Sequence, residues 1–349
     1  MIGPIPPTIL KINKDMKKVL IAILAVVSLA SCSKEQTVVA ARGDAIGFGT
    51  PFVENSTRAI DPSFNANKLV DGFKVWGTVK GNASNSPMLL FNGVEIVRNN
   101  KAYGAAWEYV NNTDAQYWIP NAEYNFAAIA NATDVIPGEN GMPKAIKYTA
   151  NNTDLIYTLT GVTAKTDENS DPTEGVNDDD VVEFTFNHLL SKVHFNFVNQ
   201  SGSDNCKFEI SNIKITSGHF ASGTFTIGAT EPWGSTTDAT SALEFGNASN
   251  ATAADAANTA IQIANGANAT SHYAHLLIPG TQTLNISFDQ TLIYGTTKTT
   301  KTVTAALTHE FEANGSYVIT VTLKAGSKID FSVGSMENWD DDDTSITIP

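Results

Sequence analysis

The chain has 349 residues, a formal net charge of -14 and only 17% charged residues. An acidic balance of this size excludes nucleic-acid binding by phosphate neutralisation and favours solubility instead. The length exceeds what one hydrophobic core usually serves, so two domains are expected.

Lys11, Lys14, Lys17 and Lys18 stand before an apolar run from Val19 to Ala30. That run is too short to span a bilayer, which takes about 20 apolar residues, but it suits a secretory signal. Met16 opens a conventional Met-Lys-Lys start, so residues 1–15 read as upstream sequence and 1–31 as the removed segment. The run closes on Leu29-Ala30-Ser31-Cys32, which resembles the lipobox of bacterial lipoproteins. That resemblance implies cleavage after Ser31 and lipidation of Cys32, with acyl chains holding the mature protein on a membrane. Cys206, the only other cysteine, then lacks a disulfide partner and reads as a small apolar core side chain.

Strands are expected along most of the chain beyond Cys32. Ile46-Gly47-Phe48 alternates, and so does Phe73 to Val79 over seven residues. Tyr124 to Ile129, Val182 to Phe186 and Val193 to Phe197 show the same pattern, then Phe208 to Ile210 and Ile213 to Ile215. Thr224 to Ile227, Leu284 to Phe288, Tyr317 to Leu323 and Ile329 to Val333 complete the series. Period two, with β-branched and aromatic residues on one face, predicts half-buried antiparallel strands. The spacing and the Gly, Asn, Asp and Pro between strands predict sandwiches. No segment sustains a helical period. The polar run Thr163–Asp180 cannot bury enough surface to fold alone, and it marks the expected boundary between a domain over 59–180 and another over 181–349.

Sites for chemistry are scarce. The runs Asp178–Asp180 and Asp340–Asp343 lack the alternating carboxylates and glycine of a calcium loop. His272 and His275, three apart on an expected strand, fall on opposite faces and do not share a metal. Neither a nucleophile elbow nor a glycine-rich phosphate loop is present. No enzyme activity, metal or other cofactor is expected.

Landmarks remain, in a fixed order. Thr57-Arg58-Ala59 comes after the Ile46/Phe48 segment. Trp107-x-Tyr109, Tyr117-Trp118, Pro120 and Tyr124-x-Phe126 come next, then Phe184 to Val193. Leu276-Leu277-Ile278-Pro279-Gly280 precedes a strand, Gly315-Ser316-Tyr317 opens another, and Trp339 stands near the end. Behind a lipobox, this series resembles the fimbrillin-like (Mfa-like) lipoproteins of Bacteroides and relatives, the pilins of type V fimbriae.

The resemblance implies two transthyretin-like β-sandwich domains in tandem and a protease cut after Arg58. The cut would release a leader, 32–58, that carries the first strand. A sandwich that loses a strand exposes backbone groups and an apolar groove, which another fimbrial subunit can fill by strand donation. Lys34 and Glu35 resemble the signal that sends such lipoproteins to the outer face, so the expected location is the surface of the outer membrane. Adhesion to a host protein or glycan is the implied role. Only ten residues stand after Trp339, among them Ser345-Ile346-Thr347-Ile348, so a tip or anchor subunit fits as well as a stalk pilin. The alternative is a surface lipoprotein that binds glycan beside a nutrient importer, with Trp107, Tyr109, Tyr117, Trp118 and Trp233 as its platforms.

Overall fold

A computed structural model describes residues 45–49, 52–53, 72–81, 86–98, 107–119, 122–132, 134–163, 181–249, 259–324 and 329–334. The fold is all-β, with mostly antiparallel pairing.

One sheet runs in the order Phe52–Val53, Thr185–His188, Ile156–Thr163, Glu123–Ala130, Gly72–Lys80, Met88–Arg98 and Trp107–Tyr109. Its inner face explains the strand pattern. Phe73, Val75 and Val79 alternate inward on one strand, and Tyr124, Phe126 and Ala128 on the next. Gly77 sits between them because a side chain there would meet the rings of Phe91 and Phe126 at 2.9 Å. The pair Gly47–Phe48 and Val181–Val182 covers this core.

A second core lies between two further sheets. Ser191–Asn199 and Ser316–Leu323 run side by side in parallel at the centre of one. Cys206–Ser217, Gly280–Tyr294 and Thr297–Phe311 form most of the other. Phe195, Phe197, Ile319 and Val321 of the first sheet meet Phe208, Ile210, Leu284 and Phe288 of the second. Burying side chains of this size contributes about 1.5–3 kcal/mol each, enough to specify both faces. Cys206 lies in this core at 1% exposure, as a small apolar side chain.

A third core joins residues from both halves of the chain. Strands Asp134–Pro137 and Pro143–Thr149 pair with Phe220–Thr226 and Trp233–Asp238 in one four-stranded sheet. Ile146, Tyr148 and Phe225 of that sheet meet Trp76, Ala127 and Ile129 on the outer face of the first. Trp233 fixes the junction by donating its indole N–H to the Leu189 carbonyl at 2.9 Å.

Three expected strands are divided or merged. The alternation Val182 to Phe186 divides into Val181–Val182 and Thr185–His188. Phe208 to Ile210 and Ile213 to Ile215 merge instead into one strand, Cys206–Ser217, whose register shifts around Asn212. Asn212 takes φ 54° there, a left-handed conformation that Asn tolerates. His272 and His275 share no strand: His275 opens His275–Leu277, and His272 lies outside it.

A strand seated in an aromatic groove

The Ile46/Phe48 segment fills a slot between two other pieces of chain. On one side the Ile46 amide donates to the Gln116 carbonyl at 2.7 Å, and Ala45 bridges antiparallel to Tyr117. On the other, Gly47 and Phe48 run parallel to Val181 and Val182, and the Gly49 amide donates to the Val182 carbonyl at 3.0 Å. The chain continues in parallel, with Phe52–Val53 beside Thr185–Phe186.

The side chains keep the same alternation that the sequence shows. Ile46 is fully buried and Phe48 is 6% exposed. Gly47 has little room to be anything larger, because a side chain there would lie 3.1 Å from Val181. The Phe48 ring packs edge-on against Phe73, Phe91, Tyr109 and Phe126, with centroids 5.8–6.4 Å away, and stacks on Phe184 at 5.7 Å. Such aromatic pairs contribute about 0.5–1.5 kcal/mol each beyond area burial. Tyr109 closes the slot by donating its hydroxyl to the Ile46 carbonyl at 2.6 Å. Burial raises the Tyr109 phenol well above its ordinary range.

The groove is therefore apolar, walled by phenylalanines and edged by backbone hydrogen-bonding groups. Chemically it can hold an extended strand with apolar side chains at alternate positions. Among the described residues no cluster of three His, Cys, Asp or Glu could hold a metal. No described helix is long and apolar enough to cross a membrane.

Of the residues singled out from the sequence, Cys32, Ser31 and Arg58 lie outside the described residues, as do Thr57, Ala59 and Trp339. The groove gathers Ile46, Phe48, Tyr109, Trp118 and Phe184 into one core. The five candidate platform aromatics do not form a shared surface. Trp118 is buried against Tyr124, Trp107 packs on Phe73 and beneath Arg98, and Trp233 packs on Tyr148 and Phe225. Tyr109 reaches into the groove, which leaves Tyr117 alone well exposed, at 47%. Sequence reasoning missed the Gln116–Tyr117 edge and the parallel partners Val181–Val182. The alternation at Val182 marked a strand but carried no sign of its partner.

A fimbrillin-like family profile matches residues 57–339. No curated protein matches the chain. Solved structures with similarity include a candidate cell adhesion protein from Bacteroides ovatus, 16% identical, at TM-score 0.49, covering 85% of this chain and 98% of that one. A candidate cell adhesion protein from Bacteroides uniformis is also 16% identical, at TM-score 0.45, with 84% and 99% covered. The fimbrial anchor protein Mfa2 from Porphyromonas gingivalis is 11% identical, at TM-score 0.31, with 83% and 96% covered.

Proposed function

The chain belongs to the fimbrillin-like family, and from that premise we propose that it is a structural subunit of a cell-surface fimbria, assembled by protease-triggered strand exchange. Family membership supports the coarser part, a fimbrial or adhesive role at the cell surface without catalysis. The seating of Ile46 and Phe48 supports the finer part. Their strand is held at both edges by hydrogen bonds and inside by aromatic packing, yet it stands at the start of the body rather than within it.

In this reading, cleavage after Ser31 exposes Cys32, which takes the lipid and anchors the subunit on the outer membrane. A protease then cuts after Arg58. The position suits the purpose, since Arg58 falls in sequence between the described strands Phe52–Val53 and Gly72–Lys80. Once cut, the leader has no covalent link to the body, and its described contacts with the body are those of the groove and the Phe52–Val53 pairing. Its departure uncovers Phe73, Phe91, Phe126 and Phe184 and leaves the Val182 and Gln116 carbonyls without their partners. Open sheet edges of this kind pair with another chain, so a second subunit donates a strand. Two domains, 59–180 and 181–349, are the proposed division of the body, although Val182, Phe184 and Phe186, beyond that boundary, pack in the first core. Glycan binding has less support, because four of its five candidate aromatics are engaged in packing.

Limited trypsin digestion tests the reading. Wild type should be cut at Arg58, lose the leader and form a ladder of oligomers visible by electrophoresis and electron microscopy. Arg58→Ala should stay monomeric under the same treatment. Equal assembly of Arg58→Ala would overturn exchange gated at this residue.

A further inference from the structure

We propose that strand Thr297–Phe311 is a self-complementary edge through which two copies of the chain join sheets side by side, independently of the leader groove.

The strand is fifteen residues long and pairs with Gly280–Tyr294 without a single register shift. It ends its sheet: among the described residues no strand pairs along its other edge. Edge strands are ordinarily guarded by proline, bulges, shortness or charge. This one has no proline and no bulge, and its only cations inside the strand are Lys298 and Lys301.

The ladder fixes which backbone groups face outward. Tyr294 and Thr297 flank a two-residue turn at Gly295–Thr296, with Gly295 at φ 59°. The residues flanking such a turn form a hydrogen-bonded pair, and pairs then alternate along the ladder. Odd-numbered residues from Thr297 therefore direct N–H and C=O toward Gly280–Tyr294. The Gly295 amide donates the other way, to the Asn205 carbonyl, as that alternation requires. Even-numbered residues from Lys298 to Glu310 direct their backbone groups to the free edge, and their side chains are all exposed. Several of those side chains are tied back to the neighbouring strand. Thr300 bonds Thr291 at 2.8 Å, Thr308 bonds Thr283 at 2.9 Å and Thr302 donates to Asp289 at 2.6 Å. These bonds tie the edge to its neighbour, and no described strand takes up its outward backbone groups.

Antiparallel pairing of this strand with itself about Thr304 brings even residues opposite even residues, so each outward N–H finds a C=O. Thr300 falls opposite Thr308, Thr302 opposite Ala306, and Thr304 opposite its own copy. Lys298 falls opposite Glu310. That pairing of opposite charges at both ends favours a second copy over an arbitrary strand, since directly opposed unlike charges stabilise and like charges destabilise. Lys298 is already oriented by Glu209 at 3.0 Å. A two-fold contact of this kind closes on itself and makes dimers, not fibres.

The test uses the full, uncut chain, so its result is separate from that of exchange at the leader groove. Thr304→Cys places two thiols opposite each other on the two-fold, within the usual Cα separation of a disulfide, about 4.4–6.8 Å. Mild oxidation should trap it as a dimer. Thr300→Cys places its copies eight residues apart along the edge, about 26 Å, and should not cross-link above background. Thr304→Pro removes one outward amide at an edge, where proline is tolerated. It should keep the wild-type melting transition and lose the dimer in sedimentation. Equal cross-linking of both cysteine variants, or none, would overturn the proposal, as would a wild type that stays monomeric at high concentration. Binding of an added strand peptide without self-association would point to a different partner and also overturn it.

Discussion

The Phe48 ring lies on that of Phe184 with centroids 5.7 Å apart and planes 16° from parallel. One ring belongs to the strand Gly47–Phe48 and the other stands two residues beyond Val182, the backbone partner of Phe48. The leader thus grips the chain just before Ser191–Asn199, a central strand of the second core.

Phe48→Ala should release the leader more readily. Removing a buried phenylalanine costs about 3–5 kcal/mol when the whole fold must absorb it. In the proposed strand exchange the loss would be capped by the docking energy of the leader, since the leader would detach while the rest stays folded. Cut Phe48→Ala protein should shed its leader faster than cut wild type and bind more of an apolar dye. Slower release would show that Phe48 does not anchor the strand.

The groove was half legible in the sequence. Ile46-Gly47-Phe48 alternated, and its buried positions are those the alternation named. Its partners were not legible, because Val181–Val182 and Gln116–Tyr117 lie far away in sequence and period two carries no pairing information. Thr297–Phe311 escaped for another reason. Its first six residues are all exposed Thr and Lys, and only Val303, Ala305, Leu307, His309 and Phe311 turn inward, so that first stretch carries no apolar alternation to read without the opposing Gly280–Tyr294. Trp107 and Trp118 serve as surface platforms only in the alternative reading, because aromatic residues look alike from sequence whether they bind or pack.

Alkaline pH should loosen the leader. Burial raises the phenols of Tyr109, Tyr124, Tyr157 and Tyr317, and pushes that of Tyr148, whose hydroxyl donates to Asn151 Oδ1 and the Thr153 carbonyl, up to about 12. An unfolded tyrosine loses its proton near pH 10, so the unfolded chain binds fewer protons and stability falls as pH rises through that value. Tyr109 ionises more easily once the leader has gone. Tyr109→Phe loses the bond to the Ile46 carbonyl, about 1 kcal/mol, and should hold the leader more weakly at pH 7. Above pH 10 its leader release should change less with pH than that of wild type. Parallel release curves would exclude Tyr109 as the cause.

Acid should destabilise the junction side of the second half. Burial lowers the His219 imidazole, and the neighbouring His275 lowers it further. Burial also lowers His275, against the bond to the Glu244 carbonyl at 2.9 Å and the Glu244 carboxylate, both of which favour its charge. An unfolded histidine takes up its proton near pH 6.5. The unfolded chain therefore binds more protons below that value, and stability falls as pH drops through it. Hydrogen bonds from Thr302 and Asn212 lower the Asp289 carboxylate, so its share is lost only further down, below about pH 4. Thermal melts should show a first decline between pH 7 and 5, and His219→Phe should flatten that segment. An unchanged decline in the variant would assign it to other groups.

Cys206 should behave as packing and not as chemistry. Its sulfur lies among Phe208, Ile263 and the rest of the second core, and its carbonyl accepts from the buried Asn199 side-chain amide at 3.0 Å. Asn199 also donates to the Ile263 carbonyl at 2.8 Å and accepts from the Ser201 amide at 2.9 Å. A fully satisfied buried amide of this kind pins the start of Cys206–Ser217 against the end of Ser191–Asn199. Cys206→Ser keeps those backbone bonds and adds a hydroxyl to an apolar site, at a cost of about 1–3 kcal/mol if it stays unpaired. Cys206→Ala should cost less than Cys206→Ser if polarity is what matters. Wild type should migrate identically on reducing and non-reducing gels. A mobility difference would mean that Cys206 carries a disulfide, and the core position would then have to open for its partner to reach it.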